Sequence, residues 1–324
     1  MQQPVIVITG AGGCGLAAAR RLSSGRKVIL GSRSQKSLET AKSTLEWEGH
    51  QVETHQVDIS DSDSVQNFAK QAAAAGPLEV IVHTSGISPA QVNGEVQKIL
   101  DVNLLGTAYV IDAFLPYVGP GTSLICVSSI AAHMTWLSGA PTPALEKHFA
   151  TAPSSQLLDH EDFKTLNVDD TRKAYPISKR ANNLRVEGFV TAYGDKGARI
   201  NSISPAGIMT KMFYQEVEGG SPEGMEWMKQ SSGLKRHATP EDVVAAIAFL
   251  ASRDASFITG TDILLDGGAR AGMAWNPYGG GLPGAKKETN GKLPSFYNNK
   301  EQVRIGFSAA IDRSPYCVIF ADLW

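Results

Sequence analysis

The sequence predicts a doubly wound α/β protein with a seven-stranded parallel sheet, and three observations carry that expectation. Short apolar runs rich in Val and Ile recur at residues 5–8, 27–30, 52–57, 78–82, 124–127, 199–203 and 263–265. Between them, segments 16–22, 38–48, 65–75, 96–115, 181–193 and 240–251 repeat their apolar residues three and four apart, the period of an amphipathic helix. The strand runs are apolar on both faces, which suits a parallel sheet covered on both sides, because each parallel crossover needs a dozen or more residues. In such sheets ligands sit beyond the carboxyl ends of the strands.

The first strand runs into Thr9-Gly10-Ala11-Gly12-Gly13-Cys14-Gly15-Leu16 and then a helix. Gly10, Gly12 and Gly15 spell G-x-G-x-x-G: one glycine for the tight turn, one for backbone approach to a pyrophosphate, one for close helix–strand packing. The free N–H groups and partial positive charge of the helix N-terminus then face the phosphates. The position after a strand and before a helix is the context in which this triplet binds a dinucleotide. The second strand ends in Leu30-Gly31-Ser32-Arg33, with no acid to hold a ribose 2′-hydroxyl. The Arg33 guanidinium suits a 2′-phosphate, so NADP(H) is expected over NAD(H).

Further along, Asn103 falls inside a helical segment, where an Asn is unfavourable unless its amide has a task. The fifth strand closes on Ser128-Ser129, and strand alternation lets only one of the two hydroxyls point inward. Tyr175 and Lys179, four apart at the start of a helical segment, share a face. A tyrosine doing acid/base work near neutrality needs positive charge to stabilise its phenolate, which a neighbouring ammonium supplies in part. Residues 131–173, with Pro141, Pro143 and Pro153, are too long for a plain connection and open at the ligand edge, so they are expected to act as a lid over substrate. Met212, Phe213, Met225, Trp227 and Met228 read either as a second lid or as a packed helix pair. The tail 272–324 is rich in Gly, Pro, Asn and Lys and is expected to be irregular, leaving 1–271 as one domain.

With 30 basic against 32 acidic residues the chain carries a formal charge of −2, which gives no electrostatic reason to bind nucleic acid. No run of about 18–20 apolar residues and no secretory leader is read, so no membrane partner and a cytoplasmic location are expected. Cys14, Cys126 and Cys317 fit neither a disulfide framework nor a zinc site. The histidines His83, His133, His148 and His160 have no metal-ligand spacing, so no metal is expected.

These blocks, in order, resemble the short-chain dehydrogenase/reductase family, whose members have a Rossmann fold. The resemblance spans residues 5–268 and includes Thr9 to Gly15, Asp58-Ile59, Leu100 to Gly106, Ser128-Ser129, Tyr175 with Lys179, Arg199 to Pro205 and Asp266 to Gly268. It implies that Tyr175 is the acid in carbonyl reduction and that Lys179 lowers its pKa and holds the nicotinamide ribose. Ser129 would orient the substrate oxygen, and Asn103 would support a proton path behind Lys179. By the same resemblance Gly10, Gly12, Gly13, Gly15, Leu16, Ser32, Arg33, Asp58, Ile59, Gly86, Ile208 and Thr210 contact the cofactor. A homodimer or homotetramer is implied, with the helix near Tyr175 at an interface.

Four features depart from the family pattern. The glycine turn is one residue shorter, His83-Thr84-Ser85-Gly86 replaces Asn-Asn-Ala-Gly, and Ala206 separates Pro205 from Gly207. Ser129 and Tyr175 lie 46 positions apart instead of about a dozen. The enlargement is similar to that in bacterial hydroxysteroid dehydrogenases and carbonyl reductases. The expected activity is the NADP(H)-dependent reduction of a ketone to a secondary alcohol on a medium to large, mostly apolar molecule. A redox-neutral epimerase or cyclase and a cofactor-sensing protein are the alternatives.

Overall fold

Seven parallel strands, β1 (Val5–Thr9), β2 (Lys27–Ser32), β3 (Val52–Gln56), β4 (Leu78–His83), β5 (Ser123–Val127), β6 (Arg199–Pro205) and β7 (Asp262–Leu265), form one sheet in the order β3-β2-β1-β4-β5-β6-β7. The computed structural model describes residues 2–135, 139–166, 168–219 and 222–275. All seven expected strands are present. The chain reverses direction across the sheet between β1 and β4, which opens a crevice at the strands' carboxyl ends.

The helices are α1 (Gly13–Leu22), α2 (Gln35–Trp47), α3 (Ser62–Ala74), α4 (Val96–Ile99), α5 (Gly106–Phe114), α6 (Pro143–Thr151), α7 (Glu161–Thr165), α8 (Thr171–Gly188), α9 (Val190–Gly194), α10 (Lys211–Gly219), α11 (Pro222–Ser231), α12 (Pro240–Ala251) and α13 (Ala269–Trp275). Strand alternation sorts the core into two layers. Ile6, Ile8, Val28, Leu30 and Val82 pack with Ala17, Ala18, Leu38, Val243 and Ile247 of α1, α2 and α12. Val5, Val7, Ile29, Ile81 and Leu124 face Phe68, Val110, Phe114 and Val186 of α3, α5 and α8. Because both faces are covered, the central strands β1, β2, β4 and β5 are largely apolar without alternation, whereas the edge strand β3 reads Val-Glu-Thr-His-Gln and is half-buried.

One helical stretch among the described residues, Val96–Tyr117, is 22 residues long with a mean hydropathy of 1.4, enough to cross a membrane by length and composition. It is nevertheless a core helix, with 67% of its most apolar window buried within the protein. The segment 131–173 is not one irregular lid. Its helix α6 lies along α8, burying Leu145 and Phe149 completely, and Glu146 pairs with Arg180 at 2.8 Å. Arg185 donates to the Ala152 carbonyl and to Asp112 of α5. Gly188 passes so close to α6 that a Cβ there would stand 2.1 Å from the Ala150 carbonyl oxygen. Leu145, Phe149 and Leu157, with Phe163, Leu166 and Val168 of the returning limb, join the apolar cluster that includes Tyr175.

From Ala174 to Val186 no residue of α8 is fully exposed, and α6 covers part of the helix. The apolar run of the insertion found its partner inside the same chain, which periodicity alone could not reveal. The expected irregular tail begins as a helix, since α13 extends to Trp275. The rest of the tail, including Cys317, lies outside the described residues.

Candidate active site

The site is assembled at the carboxyl ends of β1, β4, β5 and β6. β1 ends at Thr9, whose backbone passes into Gly10 at φ +103°, a conformation that favours glycine. Gly15 is held against that bend, because a Cβ would lie 1.8 Å from the Gly10 carbonyl oxygen. Helix α1 starts at Gly13 with no side-chain cap and no acid in its first turn, so its N–H groups remain available to an anion. Gly12 faces open space. Across the turn stands Thr210, whose methyl would lie 2.9 Å from a Cβ on Gly13. Ile208 is positioned beside it by a parallel bridge to Ala238.

At the neighbouring strand ends, Ser32 closes β2 and Arg33 is exposed. Asp58 follows β3 and accepts hydrogen bonds from the amide and hydroxyl of Ser60. Ile59 is buried, and its carbonyl oxygen would lie 2.9 Å from a Cβ on Gly106. Leu16 sits in α1 and packs on the core.

The catalytic candidates converge from three elements. Asn103 is fully buried in Leu100–Leu105, a π-helical stretch joining α4 to α5; such bulges favour functional positions. Its amide grips Ile87 twice at 2.9 Å, accepting from the Ile87 N–H and donating to the Ile87 carbonyl. That is the task the sequence left unnamed: it pins the loop after β4. Gly86 follows the same path, where a Cβ would meet Asn103 Oδ1 at 3.1 Å and Lys179 Nζ at 3.4 Å. The serine pair separates as strand alternation requires. The Ser128 hydroxyl donates to the Lys179 carbonyl at 3.0 Å, whereas Ser129 faces the Tyr175 phenol.

Tyr175 and Lys179 lie one turn apart in α8, with Nζ 5.8 Å from the centre of the Tyr175 ring. The Lys179 ammonium is buried and has one long hydrogen bond, 3.4 Å to the Val127 carbonyl. Burial lowers its pKa to about 8. Without cofactor, burial raises the pKa of the phenol, Ser129 opposes the rise, and the Glu216 carboxylate adds to it. Removing the hydroxyl from water penalises the phenolate more than its neighbours favour it.

His83 has a precise setting. It is buried and neutral, with a pKa lowered to about 3 by burial and by Lys179. The Thr107 hydroxyl donates to the Asn103 carbonyl at 2.8 Å, so it accepts from His83 Nε2 at 3.1 Å. Nδ1 therefore accepts from Thr9 at 2.6 Å. One imidazole thus ties the strand before the glycine turn to the helix carrying Asn103. Thr107 was missed in the sequence, although its spacing of four from Asn103 is a signal. Glu216 was missed without any such signal.

These residues fit a nicotinamide dinucleotide. The glycine turn offers uncapped N–H groups, the under-satisfied Lys179 ammonium has donors for ribose hydroxyls, and Gly86 keeps the space beside it free. Fold and site together define a dinucleotide-dependent oxidoreductase. Residues 4–144 match the short chain dehydrogenase family model, and 163–270 match a model described as enoyl-(acyl carrier protein) reductase. The short-chain dehydrogenase/reductase bsc3 of Alternaria brassicicola is 37% identical over 271 residues, which span 84% of this chain and 97% of that protein. The 3beta-hydroxysteroid dehydrogenase 1 of Eggerthella lenta is 28% identical, covering 81% of this chain and 92% of its own. Among solved structures, levodione reductase superposes with a TM-score of 0.65 at 23% identity, covering 84% and 98% of the two chains. A Mycobacterium ulcerans short-chain type dehydrogenase/reductase gives a TM-score of 0.64 at 26% identity, covering 84% and 91%. The chain belongs to the short-chain dehydrogenase/reductase family. It is therefore an oxidoreductase that acts on alcohol and ketone groups with a nicotinamide cofactor.

Proposed function

We propose that this enzyme uses NADP(H) to interconvert a ketone and a secondary alcohol on a medium to large, mostly apolar molecule, chiefly as a reductase. The observation that carries this reading is the convergence of Ser129, Tyr175 and Lys179 beside the glycine turn. When bound, the nicotinamide supplies or accepts hydride. The Ser129 hydroxyl orients the substrate oxygen, and the Tyr175 phenol delivers its proton as negative charge develops there. Lys179 holds the ribose and replaces the proton through the path that Asn103 borders. Tyr175 shares an apolar cluster with the partly buried Ile87, Leu166 and Val168, which supports a hydrophobic substrate.

For the cofactor, the exposed Arg33 guanidinium beside Ser32, with no acid at the end of β2, supports NADP(H). Residues 1–271 form the catalytic domain in this reading, and the cysteines Cys14 and Cys126, buried and unpaired, suit a reducing cytoplasm. A homodimer or homotetramer is the assembly this reading expects, with α8 contributing to the interface through its half-buried and exposed positions, Arg180 and Glu187. The test is cofactor consumption with a ketone panel. Tyr175→Phe should lower turnover by about 10³-fold while binding cofactor normally. Arg33→Ala should raise KM for NADPH by about tenfold and leave NADH unchanged. Full turnover in Tyr175→Phe overturns the mechanism, and equal effects on both cofactors overturn the NADP(H) preference.

A further inference from the structure

Glu216 is not used in the mechanism above, yet it is the one carboxylate within the described residues that acts on both the mouth of the site and its phenol. Helix α10 leaves the ligand edge after β6 and touches the turn Pro89–Gln91 at two points. Glu216 Oε1 accepts the Ala90 N–H at 3.0 Å, and Gln215 Oε1 accepts from Gln91 Nε2 at 3.0 Å. Gly219 lies against the same turn, where a Cβ would come within 3.5 Å of Ala90. The turn's neighbours, Ile87 and Val92, share an apolar cluster with Tyr175. Glu216 is half-buried and has no ion-pair partner; the Ala90 amide is its sole hydrogen-bond donor among the described residues.

We propose that Glu216 is a specificity-determining residue: its carboxylate, clamped at the mouth by α10, selects uncharged ketones and repels those bearing a carboxylate. The proposal rests on the carbonyl-reducing function above and narrows its substrate class to neutral molecules. An unpaired anion in a partly dry cleft interacts over several ångströms with little screening, so a second anion arriving beside it is disfavoured. The same charge acts on Tyr175 from α10, where Lys179 is the charged group on its own helix and Ser129 the polar one from the end of β5. Taking that anion away favours the phenolate.

The test compares 4-acetylbenzoate with its methyl ester as ketone probes, with NADPH, in the parent enzyme, Glu216→Gln and Gln215→Ala. The parent should prefer the ester, and Glu216→Gln should narrow that preference by about tenfold. Gln215→Ala loosens the clamp without altering charge, so it should change KM for both ketones alike. In parallel, NMR of carbon-13-labelled tyrosine in the NADP⁺-bound protein, assigned with Tyr175→Phe, should show Tyr175 titrating at lower pH in Glu216→Gln. An unchanged preference between the two ketones overturns the proposal even if the protein is folded and active. If neither ketone turns over, coincident Tyr175 titrations in parent and Glu216→Gln overturn it, and a downward shift supports it. Undiminished turnover in Tyr175→Phe would remove the functional reading itself, a separate outcome.

Discussion

Lys179 makes the fold less stable than it could be, and the size of that penalty can be worked from its surroundings. Its ammonium is buried with one hydrogen bond of 3.4 Å, and its pKa falls from 10.5 to about 8. That fall corresponds to about 3 kcal/mol of differential stability between the charged and neutral forms. The native state releases its proton near 8 and the unfolded chain near 10.5, so between those values the unfolded state binds more protons. The stability of the parent therefore rises with pH across that window. Lys179→Met keeps the apolar stem and removes the charge. At pH 7 it should stabilise the protein by about 2–3 kcal/mol, or roughly 4–10 °C in Tm, while abolishing turnover. By pH 10 most of that gain should vanish, because the parent lysine is then neutral. Urea unfolding of the cofactor-free protein at pH 7, 8.5 and 10 measures it. A variant no more stable than the parent at pH 7, or a gain independent of pH, would refute the reasoning.

Two further predictions concern the core around the site. Phe149 of α6 is fully buried, so Phe149→Ala should cost about 3–5 kcal/mol in denaturant unfolding; a swinging lid would lose almost nothing. His83 stays neutral in the native state down to about 3, whereas in the unfolded chain it protonates near 6.5. The unfolded state binds more protons between those values, so stability falls as pH drops through that window. His83→Asn should flatten this part of the acid limb, and an unchanged slope of ΔG against pH from 6.5 to 4 would count against the assignment.

Much of the molecule could be read before any coordinates. The apolar runs of the central strands and the 3.6-residue helical period prescribe local states that depend on nearby residues, and every strand appears where its run lies. The glycine turn was legible for the same reason, since tight turns and close approach constrain residue type locally. The separation of Ser128 from Ser129 was legible as well, because strand alternation leaves one of two adjacent side chains facing the site. The insertion was misread because its helices are short, and Leu145 and Phe149 are buried in a cluster built largely from distant residues, among them Leu104 and Ala108 before the insertion and Ala181 and Leu184 of α8 after it.

What the sequence determined by itself is therefore the parallel sheet and the glycine turn, and it offered Asn103, Ser129, Tyr175 and Lys179 as the candidate set. Tertiary structure alone decided their electrical character: that burial raises the pKa of the phenol and lowers that of the amine, that His83 links the strand before the turn to the Asn103 helix, and that Glu216 reaches the mouth from α10. Residue type and spacing are properties of the chain. A pKa depends on how much water folding removes and which distant charges it brings close, and those exist only once the elements have packed.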